Sequence, residues 1–301
     1  MTELELRHLR REKWRLEGEP IRTIEEAREF VDSVGMCLVY PLRPMPLLPT
    51  LIGAIAGTDQ KLPTQKTAVN DPRGIQTEEL LARLLREKSV HEARLYADSL
   101  LLSAQLFPYF YALVSDRKPK QPIVSRAPGK GSPLSEHLFR KLEEKGPLSR
   151  AQLQEQLGGA LSEAALDRAL QELWIALKVT RVDHSMEAKD RWDVYYRWAP
   201  EAVNEGVRLS DAEALSALIS KYLDCVVAAT PDDIETFFSA ITSRTRVAEV
   251  VRSLLSAREF TYTPSETRTL ITVAHSIARP ESPRAQVDRR GATSAPRRRN
   301  G

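Results

Sequence analysis

The sequence predicts a mainly α-helical protein with small β wings, arranged as tandem units. Three observations lead there. Apolar residues recur at helical spacing along most of the chain, two stretches close with a pair of β-type runs, and proline and glycine gather between these stretches. The punctuation divides the 301 residues into units at about 20–116, 132–200 and 207–275. A basic Pro/Gly linker covers 117–131, and an arginine-rich tail covers 279–301.

In the first unit, Thr23-Ile24-Glu25-Glu26 has the form of a capping box. Threonine hydroxyl and glutamate carboxylate there satisfy each other's backbone N–H groups and open a helix, here to about Val34. Cys37 to Tyr40 reads as a strand, followed by a proline-rich loop, a helix from about Gln76 to Lys88, and an apolar stretch from Leu95 to Val114. In the second unit Leu138 and Leu142 mark one helix, and Ser149 caps another that carries Leu153 and Leu157. Ser162 caps a third, whose Leu166, Leu170, Leu173 and Leu177 form one stripe. Val179–Val182 and Asp193–Trp198 then read as two strands joined by a charged loop.

The third unit repeats this order. Leu215, Leu218, Ile219, Tyr222 and Leu223 share a helical face, and Thr230-Pro231 opens a second helix with proline at its first position. Ser243 to Ala257 forms the third, and Phe260–Tyr262 with Leu270–Val273 makes a short hairpin. Three helices followed by a hairpin is the winged-helix order, so tandem winged-helix units are expected. After Ile277 apolar residues almost vanish, and a disordered tail is expected because such a segment cannot bury enough surface to offset its ordering entropy.

The formal charge of +3 is unevenly spread. The tail holds seven arginines against Glu281 and Asp288, and residues 117–131 hold five cations and no acid, so each carries +5 and the remainder carries −7. Nucleic-acid affinity through the folded body therefore has to be argued helix by helix. The acidic N-terminus has no signal-peptide pattern, and the most apolar run, Leu47–Ala56, is far below the ~20 residues that span a bilayer. A cytoplasmic protein is expected, nucleoid-associated if it binds DNA. Cys37 and Cys225 read as core thiols. The five histidines show no ligand spacing and Gly129-Lys130-Gly131-Ser132 lacks the phosphate-loop pattern, so neither metal nor cofactor is expected.

In a winged helix the third helix usually enters the major groove. In the third unit that helix offers Arg244, Arg246, Arg252 and Arg258 around a single Glu249, which suits phosphate or guanine contact as well as plain solvation. In the second unit the equivalent face, with Glu163, Asp167, Arg168, Gln171 and Glu172, is net acidic and points to protein contact or solvation. Arg289, Arg290, Arg297, Arg298 and Arg299 in the tail would attract any polyanion through counterion release. Trp174, Trp192 and Trp198, with Tyr195 and Tyr196, read as helix–hairpin core rather than as a base-stacking platform.

Several stretches resemble the winged-helix DNA glycosylases of the AlkZ and YcaQ kind. Glu29-Phe30-Val31-Asp32-Ser33 is similar to that family's Gln-x-Asp-Ser segment. Leu84 through Leu102 to Pro108 is similar to its Leu-Leu-Glu-Glu passage, and Gly146–Ser149 and Leu215–Asp233 to its second and third winged helices. The resemblance implies excision of alkylated bases with Asp32 as catalytic carboxylate. It also places Phe30 where the family has glutamine and Tyr96 where it has histidine, and no counterpart of the family's C-terminal barrel follows. The expectation is a protein that binds double-stranded DNA and has degenerate catalysis. Alternatives are an active glycosylase using Asp32 and a protein–protein adaptor acting through the acidic second unit.

Overall fold

The computed structural model describes residues 1–95, 98–123, 131–158, 161–184, 190–266 and 268–274. Among them the protein is mainly helical with three small antiparallel sheets. The chain opens with α1 (Glu3–Lys13), started by a Thr2–Glu5 capping box. The Thr23–Glu26 box starts α2 (Ile24–Val34). There follow β1 (Met36–Leu38), α3 (Leu51–Ala56), α4 (Pro72–Arg86), β2 (Val90–Leu95), β3 (Asp98–Ser103) and α5 (Phe107–Val114). Helix α4 begins four residues before the expected Gln76, because Asp71 caps the Arg73 N–H and Pro72 occupies the first helical position, where its missing donor costs nothing. The Leu95–Val114 stretch divides into β3 and α5, and β3 becomes the central strand between β1 and β2.

The next stretch contains α6 (Pro133–Lys145), β4 (Leu148–Ser149), α7 (Arg150–Gln156), α8 (Glu163–Ile175), β5 (Val179–Asp183) and β6 (Arg191–Val194). The last expected strand stops short: only Arg191–Val194 pairs, and Tyr195–Trp198 forms the single turn α9. The cause is packing. Tyr195 and Trp198, three residues apart on a helical turn, both reach the ring of His91, whose other neighbour Phe107 stacks on it at 4.1 Å. Trp174 and Trp192 are buried as well, so the aromatic cluster is core. Helix α10 (Pro200–Arg208) leads to α11 (Asp211–Val226), α12 (Pro231–Phe238), α13 (Arg244–Ser256), β7 (Phe260–Pro264) and β8 (Thr269–Val273). Strand β8 also bridges Ala229 through Ile271, which locks the β7–β8 hairpin onto the segment after α11.

The apolar cores are not divided as the punctuation suggests. One continuous cluster runs from Ile21 through β1, α4 and α5 into α11, α13 and Ile271, so the first and third stretches share a core. A separate cluster around Leu138, Phe139, Leu142, Leu166, Leu170 and Trp192 serves α6–β6. Cys37 and Cys225 are free and lie within the shared core, where burial pushes both thiols up and keeps them unreactive. Helix α10 presses against α5 at Gly206, where an added Cβ would sit 2.7 Å from the Pro108 carbonyl oxygen and 2.9 Å from the Tyr111 ring. Gly206→Ala should therefore destabilise by about 1–3 kcal/mol despite alanine's better helix propensity, read as a lower urea midpoint at unchanged slope.

Candidate nucleic-acid surfaces and a buried ionic junction

Helix α2 carries the proposed catalytic carboxylate. Residues two apart on a helix point about 200° from one another, since successive side chains rotate by about 100°. Phe30 accordingly faces inward and is 2% exposed, whereas Asp32 lies on the solvent side. Desolvation raises the Asp32 pKa from the ordinary aspartate value, against the opposing charges of Arg28 and Lys221. Lys221 itself donates to the Ser33 carbonyl at 2.7 Å, which holds α2 against α11. Phe30 and Asp32 thus do not converge on one point. Tyr96, matched to the family's histidine, lies outside the described residues.

On α13 the four arginines differ. Arg252 and Arg258 are exposed, Arg258 at a left-handed backbone position (φ 61°) just past the helix. Arg244 is exposed and bonds to Thr236 at 3.1 Å, with Asp232 3.5 Å away. Arg246 departs from the expected free face: it is half-buried and pairs with Asp211 at 2.9 Å, a carboxylate that also holds Arg117. The acid cluster at the start of α11 draws it in. Arg289, Arg290, Arg297, Arg298 and Arg299 lie outside the described residues. On α8, Asp167 pairs with Arg150 at 2.9 Å and Glu172 accepts from Ser132 at 2.8 Å, so part of its acidity is spent on local structure.

A feature absent from the sequence-based expectations is the polar junction between the first sheet and the β5–β6 hairpin. Glu92 on β2 is completely buried and forms a two-pronged pair with Arg181 on β5, 2.8 Å from Nε to Oε2. Arg181 also reaches Asp190 at 3.3 Å and His184 Nδ1 at 2.7 Å. His184 contacts Asp190 at 2.8 Å through Nδ1 and Glu78 of α4 through Nε2, and the Tyr40 hydroxyl donates to the other Glu78 oxygen. Burial alone would lower the His184 pKa, but the Asp190 and Glu78 carboxylates overcome it and push it up to about 9. For Glu78, burial works upward, and its bonds to His184 and Tyr40 bring the pKa below the ordinary value. Lys178, 1% exposed, fastens the segment after α5 to β5 through Asp116 at 2.7 Å and the Lys118 carbonyl at 2.8 Å. These groups are hydrogen-bonded to one another and buried, which suits a fastening more than a reaction centre. The sequence signal was faint: Glu92 and Arg181 share their strand faces with Arg94 and Asp183, so nothing in the pattern sets them apart as buried partners.

Two outcomes follow from the junction. Arg181→Met leaves Glu92 charged and unpaired in the core and should cost about 3–5 kcal/mol, whereas replacing both residues by methionine should cost much less. The second concerns pH. Because the His184 pKa is raised on folding, from an ordinary 6.5 to about 9, its contribution is complete below 6.5 and is lost as pH rises through 9. The thermal midpoint should fall between pH 7 and 10 in the wild type and fall less in His184→Gln, measured by circular dichroism.

Comparisons with known proteins follow the same outline. A profile of the DNA glycosylase AlkZ-like family matches residues 73–290. Among solved structures the chain is similar to the Streptomyces sahachiroi DNA glycosylase AlkZ at a TM-score of 0.58 and 15% identity, over 91% of this chain and 70% of that one. At that identity the likeness speaks for the fold. No curated protein matches the sequence. Among the described residues no helix is long and apolar enough to cross a membrane. The family match extends from α4 through the last hairpin and takes in most of the chain, so the protein belongs to the AlkZ-like DNA glycosylase family.

Proposed function

We propose that this protein binds double-stranded DNA as a member of the AlkZ-like family whose base-excision chemistry has degenerated. The observation that carries this is the geometry of α2: Phe30 is packed in the core while Asp32 lies on the outer face beside Arg28 and Lys221. Hydrolysis of a glycosidic bond needs stabilisation of a cationic sugar and a positioned water, together with a site for an extruded base. A buried phenyl ring offers no lone pair to water, and Asp32 by itself supplies only the first requirement. We take residues 20–116, 132–200 and 207–275 as winged-helix units. DNA contact is assigned to Arg244, Arg252 and Arg258 of α13 and to the arginine tail, with Arg246 serving the Asp211 pair instead.

An excision assay on duplexes carrying 7-methylguanine, with protein in excess, should show base release at the uncatalysed background. Release above background that Asp32→Asn abolishes would instead establish an active enzyme working through Asp32. Deleting 279–301 should weaken duplex binding and flatten its salt dependence, by about 0.9 in the log–log slope for each phosphate that is no longer neutralised. In the tail-deleted protein, Arg252→Ala with Arg258→Ala should weaken duplex binding further and leave the thermal midpoint nearly unchanged, since both side chains are exposed.

A second reading has its own support. Beside α8, Leu113, Val114, Ile123, Ile175 and Ile241 line a cleft of about 600 Å³, and Ile175 is 53% exposed. These apolar residues share the cleft with Asp116, Lys118 and Glu172, and a mixed surface of this kind beside an acidic helix suits a protein partner better than a phosphate backbone. Ile175→Asp would remove such a partner while leaving duplex binding in place, which co-purification and a duplex titration separate.

A further inference from the structure

Helix α1 crosses the C-terminal end of α11 and the tip of the β7–β8 hairpin, and a two-part depression lies beside it. One half, about 350 Å³, is lined by Arg7, Arg10, Arg11 and Arg268 together with Glu3 and Asp59. The other, about 300 Å³, is apolar, lined by Leu16, Pro41, Met45, Leu47 and Pro49. Trp14, Leu16, Leu47 and Asp59 line both, so the indole belongs to the boundary between the two halves. Apart from Arg268, every one of these residues precedes the segment that the family profile matches.

The depression is held in shape by bonds not available to a ligand. Trp14 Nε1 donates to the Cys225 carbonyl at 2.9 Å, which fixes the ring plane, and Lys13 pairs with Asp224 at 2.6 Å. Arg10 is held by two neutral acceptors, the carbonyls of Val226 (2.8 Å) and Ala228. Among the described residues no carboxylate forms a direct ion pair with it, and Glu3, which lines the same half, and Asp233 act on its charge at longer range. Arg7 is exposed on the same helix. Arg11 and Arg268 are occupied, the first by Glu17 and Asp59, the second by Glu3 at 2.9 Å. A groove with four guanidinium groups and two carboxylates favours an anion, and guanidinium forks match phosphate oxygens. Beside it lie a flat, fixed aromatic face and an apolar recess with room for one ring system.

We propose that this depression is a binding site for an unpaired nucleotide of single-stranded DNA, with the base against Trp14 in the apolar half and its flanking phosphates on Arg7 and Arg10. The proposal rests on the DNA-binding function above, but it uses a surface distinct from α13 and the tail. An acidic peptide would answer the arginines equally well. The fixed indole between the two halves favours a ligand whose ring and anion are joined side by side, as in a nucleotide.

The test uses the full chain, a twelve-nucleotide oligo(dT), an abasic deoxyribose-phosphate strand of the same length, a poly-glutamate peptide of equal charge, and a duplex. Trp174, Trp192 and Trp198 are only 5%, 3% and 6% exposed, so quenching of intrinsic fluorescence reports Trp14. Oligo(dT) is expected to quench, and to bind about tenfold more tightly than the abasic strand or the peptide. Trp14→Ala and Arg7→Glu should each weaken oligo(dT) binding by about tenfold while Trp14→Phe, which retains a ring, stays within about threefold, all read from the anisotropy of a dye-labelled strand because two of these variants lack the reporting indole. Duplex affinity should change little in Trp14→Ala. Equal binding of the abasic strand or the peptide, or oligo(dT) affinity unchanged in both Trp14→Ala and Arg7→Glu, would overturn the proposal. A wild type that binds duplex and ignores oligo(dT) refutes the site as well. Wild-type protein that binds oligo(dT) with quenching but ignores duplex keeps the site and overturns the duplex function instead.

Discussion

A carboxylate with no exposure at all, Glu92, sits on a strand of the first sheet and is neutralised by Arg181 from the hairpin of the next stretch. Much of the architecture follows from that constraint. A charge in such a place has to be matched almost atom for atom, and a two-pronged guanidinium contact is the geometry that does so. Meeting it fixes β5 against β2. It also brings His184, which is bonded to Asp190, onto Glu78, so that a helix, a strand and a hairpin from stretches far apart in sequence are fastened at one point. The apolar cluster of α6–β6 is separate from the main core, and this polar junction, with Lys178 beside it, supplies much of what orients one against the other.

The second organising contact is apolar. Helix α11 packs its Leu215, Leu218, Ile219 and Tyr222 face into the same core as β1 and α5, so the ends of the chain are folded around a common centre. Helix α1 completes the closure by pairing Glu3 with Arg268 on the last hairpin and Trp14 with the end of α11. A hairpin tip held in this way is less free to probe a DNA groove than one projecting into solvent.

The family match begins inside α4, so α2 lies before it. On α2 the two residues on which the proposed degeneracy rests are turned to opposite sides: Phe30 packs in the core and Asp32 faces solvent. A core tolerates substitution among apolar residues whereas a reaction centre does not, and that asymmetry is the physical basis of the proposal.

Local chemistry along the chain was enough to determine the helices that open with a capping box or a proline, such as Thr23–Glu26 before α2 and Thr230–Pro231 before α12, because those signals act within one turn. It determined the leucine stripe of α8 as far as Leu173 and the β7–β8 hairpin, whereas of the expected Asp193–Trp198 strand only Asp193 and Val194 pair. The Thr2–Glu5 box is equally legible, but few apolar residues follow it and only Leu6 is buried, so no apolar stripe marks α1. What the sequence did not determine is which surfaces meet. That Tyr195–Trp198 coils instead of extending was decided by the ring of His91, more than a hundred residues away. That Arg246 turns to Asp211, that the first and third stretches share a core, and that Glu92 finds Arg181 were likewise decided in three dimensions. Charge pairing and burial act through space at a range of a few ångströms, and only the folded chain brings such partners together.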